Sequence, residues 1–429
     1  MINETDLIKM GQAAKKVTQL LRSLSRKEKD QALFAMADAL RKGTADILSV
    51  NQEECQQALD NGKGEAFIER MTLTPDRIEA MANGLEQVAQ LPDPINHVDE
   101  MWINKDGLQI GKRRVPLGVI GIIYESRPNV TSDAAGLCFK TGNAVILRGG
   151  KETIQSNQAI INALQAGLKA VELPEECIQF IDNPSHALAN QFMQLHSYVD
   201  CLIPRGSNRL IQNVVQNATI PTIETGVGNC HLYVHQSADL EVACKLLVNG
   251  KTQRISVCNA LESLVVDKAL ADQFLPMAEK ALNTVHPVTI HGDDRCCEIL
   301  PHALLATEDD FAKEYLDYEI SVKVVDDFQE AVSHIETYST HHSDVIATQD
   351  YQVANDFLNA IDSACVYVNA SSRFTDGEVF GFGGEIGIST QKLHARGPMG
   401  LEALTSYKYI IYGQGQIRSS SLIKRHLSS

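Results

Sequence analysis

Apolar residues return every three or four positions early in the chain, as Leu7, Met10, Ala14, Val17 and Leu21 do, which places them on one face of a helix. Ser25 with Glu28 predicts a capped helix start and Gly43 its stop, because each side chain can accept the other's free backbone N–H. Thr74-Pro75 predicts another start, with proline at the first helical position, where no N–H is needed. From Val115 the period changes. Short apolar runs at 115–123, 143–147, 177–181, 198–203 and 219–223 alternate with helical stretches at 131–140, 153–171, 186–196 and 208–216. A second series follows Gly228, with strands near 231–234, 261–266, 322–325, 344–347 and 364–369. Its helices lie near 240–248, 271–282, 330–338 and 352–361.

Strands alternating with helices predict an α/β fold with two Rossmann-like parallel-sheet domains. Such sheets bind ligands beyond the carboxyl ends of their strands. The stretch 100–114, turning at Asp106-Gly107, reads as a β-hairpin, and 407–412 as a strand. Both would leave open edges. Their pairing between subunits predicts a homo-oligomer, a dimer or tetramer. The expected division is 1–97 with 114–229 as one domain, 230–403 as a second, and 98–113 with 404–429 as a small β oligomerisation unit.

Composition narrows the classes. With 429 residues, 44% hydrophobic and 21% charged, the chain can bury a large core, and disorder is expected only after about Arg418. A net charge of −16 argues against a nucleic-acid surface but leaves room for a small anion held by a local pair of cations. The longest apolar run, 115–124, is broken by Gly118 and Gly121, so no membrane span is expected. Met1 to Leu7 lacks a signal-peptide run, and a cytoplasmic location is expected. Ten cysteines without a CxxC pair predict free thiols in a reducing compartment. The thirteen histidines are scattered, and no metal site is expected.

Most cysteines, such as Cys138, Cys177, Cys201, Cys244 and Cys365, lie in apolar or helical patterns and read as small buried hydrophobes. Cys258 sits instead in a polar stretch, NGKTQRISVCNALES, close in sequence to Lys251 and Arg254. Positive charge lowers a thiol's pKa and makes it a better nucleophile; the plain alternative is an inert loop thiol. No GxGxxG or P-loop pattern occurs. PRGSN, with Gly206 and Ser207, follows a strand and opens a helix, so it is a candidate phosphate cradle or a plain turn. RGGKE places Arg148 and Lys151 at a strand end, again a phosphate candidate or a solvated turn. The glycine-rich run 381–389 lacks a strand–helix context and reads as a mobile loop.

These motifs together resemble the aldehyde dehydrogenase superfamily. VPLGVIGIIYESRPN, TGNAVILRGGKE, PRGSN, IETGVGN, SVCN and EYLD stand in that superfamily's order. The resemblance is closer to its gamma-glutamyl phosphate reductase branch, whose signature spans Val325, Ala331-Val332, His334-Ile335, Tyr338-Ser339-Thr340, His342-Ser343-Asp344 and Ile346. It covers about residues 5 to 417.

The resemblance implies an aldehyde dehydrogenase-like fold whose first domain binds cofactor and whose second carries the nucleophile. It implies reduction of L-glutamate 5-phosphate with NADPH through a thioester on Cys258, in proline biosynthesis. A separate glutamate 5-kinase is expected, the chain having no room for a fused kinase domain. The Asn129 amide and the Cys258 N–H are candidate oxyanion donors; Asn129 could equally be a turn residue. Arg148 and Lys151 suit the 2′-phosphate of NADP(H), and Glu314 the nicotinamide ribose unless it is a solvated carboxylate. Arg254 is a candidate for the substrate phosphate and Arg373 for its α-carboxylate, with Ser371 and Ser372 as hydroxyl donors. Glu224 occupies the place of the superfamily's water-activating glutamate, but a cofactor-contact or structural role is expected. The competing readings are a hydrolytic NAD-dependent aldehyde dehydrogenase and a non-catalytic cofactor-binding protein of the same fold.

Overall fold

The computed structural model describes residues 3–418. From Glu4 to Gln90 it is a run of five helices, and the caps stand where the pattern puts them. At the head of helix Arg26–Lys42, Ser25 N–H donates to Glu28 at 2.7 Å and Glu28 N–H to Ser25 Oγ at 3.4 Å; Gly43 ends the helix. Thr74 caps helix Pro75–Gln90.

Strands β1 (Val98–Ile103) and β2 (Gln109–Pro116) form the expected hairpin. A first parallel sheet follows, built from β3 (Val119–Tyr124), β4 (Ala144–Arg148), β5 (Ile178–Phe180) and β6 (Cys201–Arg205), in the order β5-β4-β3-β6. The expected single strand 115–123 is two strands. Gly118 turns between them at φ +130°, and a Cβ there would lie 2.1 Å from the Asp200 carboxylate. That carboxylate accepts the Val119 N–H at 2.8 Å, which fixes the turn. The expected strand at 219–223 is only a bridge between Leu202 and Thr222. Pro221 accepts the Leu202 N–H but has no N–H of its own with which to extend a ladder.

The second sheet is parallel and seven-stranded. It contains β7 (Cys230–Val234), β8 (Leu261–Asp267), β9 (Thr289–Gly292), β10 (Leu304–Leu305), β11 (Glu319–Val325), β12 (Ser343–Ala347) and β13 (Cys365–Val368), ordered β10-β9-β11-β8-β7-β12-β13. The edge pair β9 and β10 is absent from the sequence reading. Its strands are too short to impose a period.

The chain then runs through a small ribbon, β14 (Ile388–Ser389) with β15 (Gly397–Pro398), to β16 (Thr405–Tyr412). β16 pairs antiparallel with β2 of the same chain, from Thr405 opposite Pro116 to Tyr412 opposite Gln109. One side of β16 is thus covered within the chain, while its other side remains an open edge of the sheet.

The N-terminal helices and the first sheet share one core. Ile386, Ala395, Met399, Leu401 and Leu404 pack into that core too. By packing, the second domain thus ends before 403, because the segment from Ile386 onward returns to the first. The second sheet has a core on each face. The expected disordered tail, 419–429, lies outside the described residues. No helix among the described residues is long and apolar enough to cross a membrane.

Candidate active site

Cys258 lies on the connection between helix Leu240–Thr252 and β8. Four neighbours hold that connection. Gly228 passes so close that a Cβ on it would lie 1.5 Å from the Cys258 carbonyl oxygen, so only glycine fits. The Cys230 thiol donates to that same oxygen at 3.2 Å. Asn259 donates to the Thr375 carbonyl at 2.9 Å, and the Ser372 hydroxyl donates to the Asn259 carbonyl at 2.7 Å. Ser371 is spent nearby, donating to Asn249 at 2.7 Å. Both serines are buried. Their hydroxyl protons are spent on the helix before Cys258 and on the connection after it, so neither is the free hydroxyl donor expected.

Of the two basic residues read near Cys258, Lys251 drops out. Lys251 is fully buried and pairs with Glu262 at 2.5 Å, so its charge is used there. Burial pushes the Cys258 thiol up to about 11; Arg205 opposes this, while Glu385 and Glu314 reinforce it. Arg254 and Arg373 are close enough to repel each other, and Cys258 lies near Arg373. Arg373 Nε donates to Gln253 at 3.1 Å.

Three residues that the sequence reading missed stand here. Arg205 ends β6, directly opposite Tyr124 at the end of β3. Arg127 follows β3 by three residues and feels Arg205, Arg254 and the Cys258 thiol. Glu385, from the run expected to be only a loop, faces the thiol and Arg205 and accepts the Gly377 N–H at 2.9 Å. The available signal was position: two of the three lie at the carboxyl edge of a parallel sheet, where ligands bind.

Asn129 opens helix Asn129–Lys140 and is exposed. Its amide donates to Asp133 Oδ2 at 3.2 Å. An amide has two N–H groups, so one remains for an oxyanion. Burial raises the Asp133 carboxyl to about 6, against the Asn129 hydrogen bond and the Arg205 charge. Glu224 has its N–H bonded to Gln391 at 2.9 Å; it is not among the charges that act most on the thiol.

The expected cofactor residues divide. Arg148 donates to the carbonyls of Pro184 and Ser185, and its Nε is buried without a partner. Lys151 is exposed three residues on. Between them, Gly149 and Gly150 touch Asn157 and Ser126 so closely that side chains would not fit. A tight turn bearing two cations, one with an unused donor, fits a phosphate. Gly206 and Ser207 do open helix Asn208–Asn217, but Ser207 Oγ donates to Glu125 Oε1 at 2.5 Å. A carboxylate already sits on that turn, so a phosphate there would meet like charge. Glu314 accepts the Gly228 N–H at 2.7 Å, beside the nucleophile's loop. Among the described residues no group of three or more His, Cys, Asp or Glu is placed to hold a metal ion.

The profile of the Aldehyde dehydrogenase family matches residues 1–299. The gamma-glutamyl phosphate reductase of Clostridium beijerinckii is 53% identical over 414 residues, 96% of this chain and 100% of that protein. That of Enterococcus faecalis is 52% identical over 97% of this chain and 99% of its own. The chain belongs to the aldehyde dehydrogenase family, among the gamma-glutamyl phosphate reductases. The crystal structure of gamma-glutamyl phosphate reductase from Thermotoga maritima overlays this family member with a TM-score of 0.94 at 44% identity, covering 96% of this chain and 100% of that one. An acetylating aldehyde dehydrogenase from Geobacillus thermoglucosidasius shares the family fold, with a TM-score of 0.69 at 15% identity over 97% of this chain and 98% of its own.

Proposed function

We propose that this chain reduces L-glutamate 5-phosphate to L-glutamate 5-semialdehyde and phosphate, the second step from glutamate to proline. The observation that carries the reading is a half-buried thiol that feels Arg205, Arg127 and Arg373, with Arg254 close to the last two, on a chain whose net charge is −16. Cations gathered against the overall charge suit an anionic substrate. Cys258 attacks the acyl carbon; phosphate leaves and a thioester remains. The Cys258 N–H and the free Asn129 N–H stabilise the oxyanion formed on attack. Arg373, with Arg254 beside it, meets the α-carboxylate end of the substrate.

NADP(H) fits Arg148 and Lys151 at its 2′-phosphate and Glu314 at its nicotinamide ribose, with Glu125, Gly206 and Ser207 suited to a hydroxyl between them. When bound it supplies the hydride that reduces the thioester. An ATP-dependent glutamate 5-kinase activity supplies the acyl phosphate in the cytoplasm. The exposed Trp102, Ile103, Tyr409 and Ile411 on the three-stranded sheet provide the surface for a homodimer or tetramer.

The test runs the reaction backward, following NADP⁺ reduction with glutamate 5-semialdehyde. The rate is expected to depend on added phosphate and to vanish in Cys258→Ala, which still binds NADPH. Phosphate-independent oxidation would instead identify a hydrolytic aldehyde dehydrogenase.

A further inference from the structure

Arg127 and Arg205 come from adjacent strand ends and are tied together through the backbone. The Glu125 N–H donates to the Arg205 carbonyl at 3.0 Å, and the Arg127 N–H to the Glu125 carbonyl at 2.7 Å. The Arg205 guanidinium lies against Gly387, where a Cβ would sit 2.3 Å from Nη1. Its Nε is buried and has no hydrogen-bond partner, a costly state for a charged donor. Glu385 and Asp133 both feel the Arg205 charge. These carboxylates are held by the Gly377 N–H and the Asn129 amide. The two like charges act on each other, and Arg205 keeps a buried, unused donor; an anion held by both would answer both demands.

Resting on the reading of this site as an acyl phosphate reductase, we propose that Arg127 and Arg205 form the phosphate subsite. They hold the phosphoryl group of the substrate and, in reverse, inorganic phosphate. Connectivity favours them over Arg254. The phosphate is bonded through one oxygen to the carbon that Cys258 attacks, so its cation must stand beside the thiol. Arg205 is the cation acting most strongly on that thiol. In the step itself the Sγ–C bond forms and the C–O bond to phosphate breaks. The electron pair of that bond leaves with phosphate, which takes up the thiol proton and departs as hydrogen phosphate. Arg205 meets the charge growing on the departing oxygen. Arg254 and Arg373 are then free for the α-carboxylate, about four bonds away.

Arg205→Gln and Arg127→Gln test this in the reverse assay. Each is expected to raise KM for phosphate about tenfold or more, with KM for the semialdehyde within about twofold, and Arg205→Lys is expected to recover part of the loss. Gly387→Ala, which displaces the guanidinium without removing it, should raise KM for phosphate in the same way. A readout without turnover uses inorganic phosphate alone: it should slow iodoacetamide alkylation of Cys258 in the unaltered protein and not in Arg205→Gln. Unchanged KM for phosphate in both glutamine variants, or a rise found only in Arg254→Gln, overturns the subsite. Phosphate-independent turnover of the unaltered protein would overturn the reductase reading itself, so the two failures are distinct.

Discussion

Cys258 was legible as a candidate nucleophile because it alone among the cysteines breaks an apolar pattern in a basic stretch. Its ionisation was not legible. A fold that buries the thiol raises its pKa to about 11, above the ordinary 9.0, so the neutral thiol predominates between pH 7 and 10 in the free protein. Raised pKa means that thiolate, and with it alkylation by iodoacetamide, should climb about tenfold per pH unit toward pH 11; a plateau below pH 9 would contradict this. Gly228→Ala puts a methyl onto the Cys258 carbonyl. It should cost roughly 1–3 kcal/mol by overpacking, read as a lowered melting temperature, and cut turnover far more than cofactor binding. Lys151→Glu places a carboxylate at the proposed 2′-phosphate site. Titration should find NADPH weakened relative to NADH; an unchanged ratio would move that phosphate elsewhere.

At the scale of elements, the buried Lys251–Glu262 pair joins helix Leu240–Thr252 to β8, and Glu262 also accepts the Leu316 N–H at 3.1 Å. One ion pair thus steadies the helix leading to the nucleophile and the turn that carries Glu314. Lys251→Met leaves an unpaired buried carboxylate and should cost about 3–5 kcal/mol in chemical denaturation. Adding Glu262→Leu should return much of it, whereas no recovery would deny the pairing. The long apolar strands and capped helices were legible because period and caps are local. Lys251 was misassigned because its partner lies eleven residues on and across the strand. β9 and β10 were missed because two to four residues carry no period.

Across the whole molecule, β16 closes onto β2 and leaves Trp102 packed edge-on against Tyr409, with ring centroids 6.2 Å apart and both residues exposed. If that face assembles subunits, Tyr409→Lys should lower the mass measured by analytical ultracentrifugation while the circular dichroism spectrum stays unchanged. An unaltered mass would place the interface elsewhere.

The amino-acid sequence by itself determined the alternation of strands and helices and their caps, and singled out Cys258 as the candidate nucleophile, because each rests on neighbours within a few residues. Tertiary structure alone decided what surrounds that nucleophile. Arg127, Arg205 and Glu385 reach Cys258 from strand ends and a late loop far away in sequence, and Lys251, near in sequence, is withdrawn by Glu262. Charge acts through space, and only the packing of two sheets sets those distances.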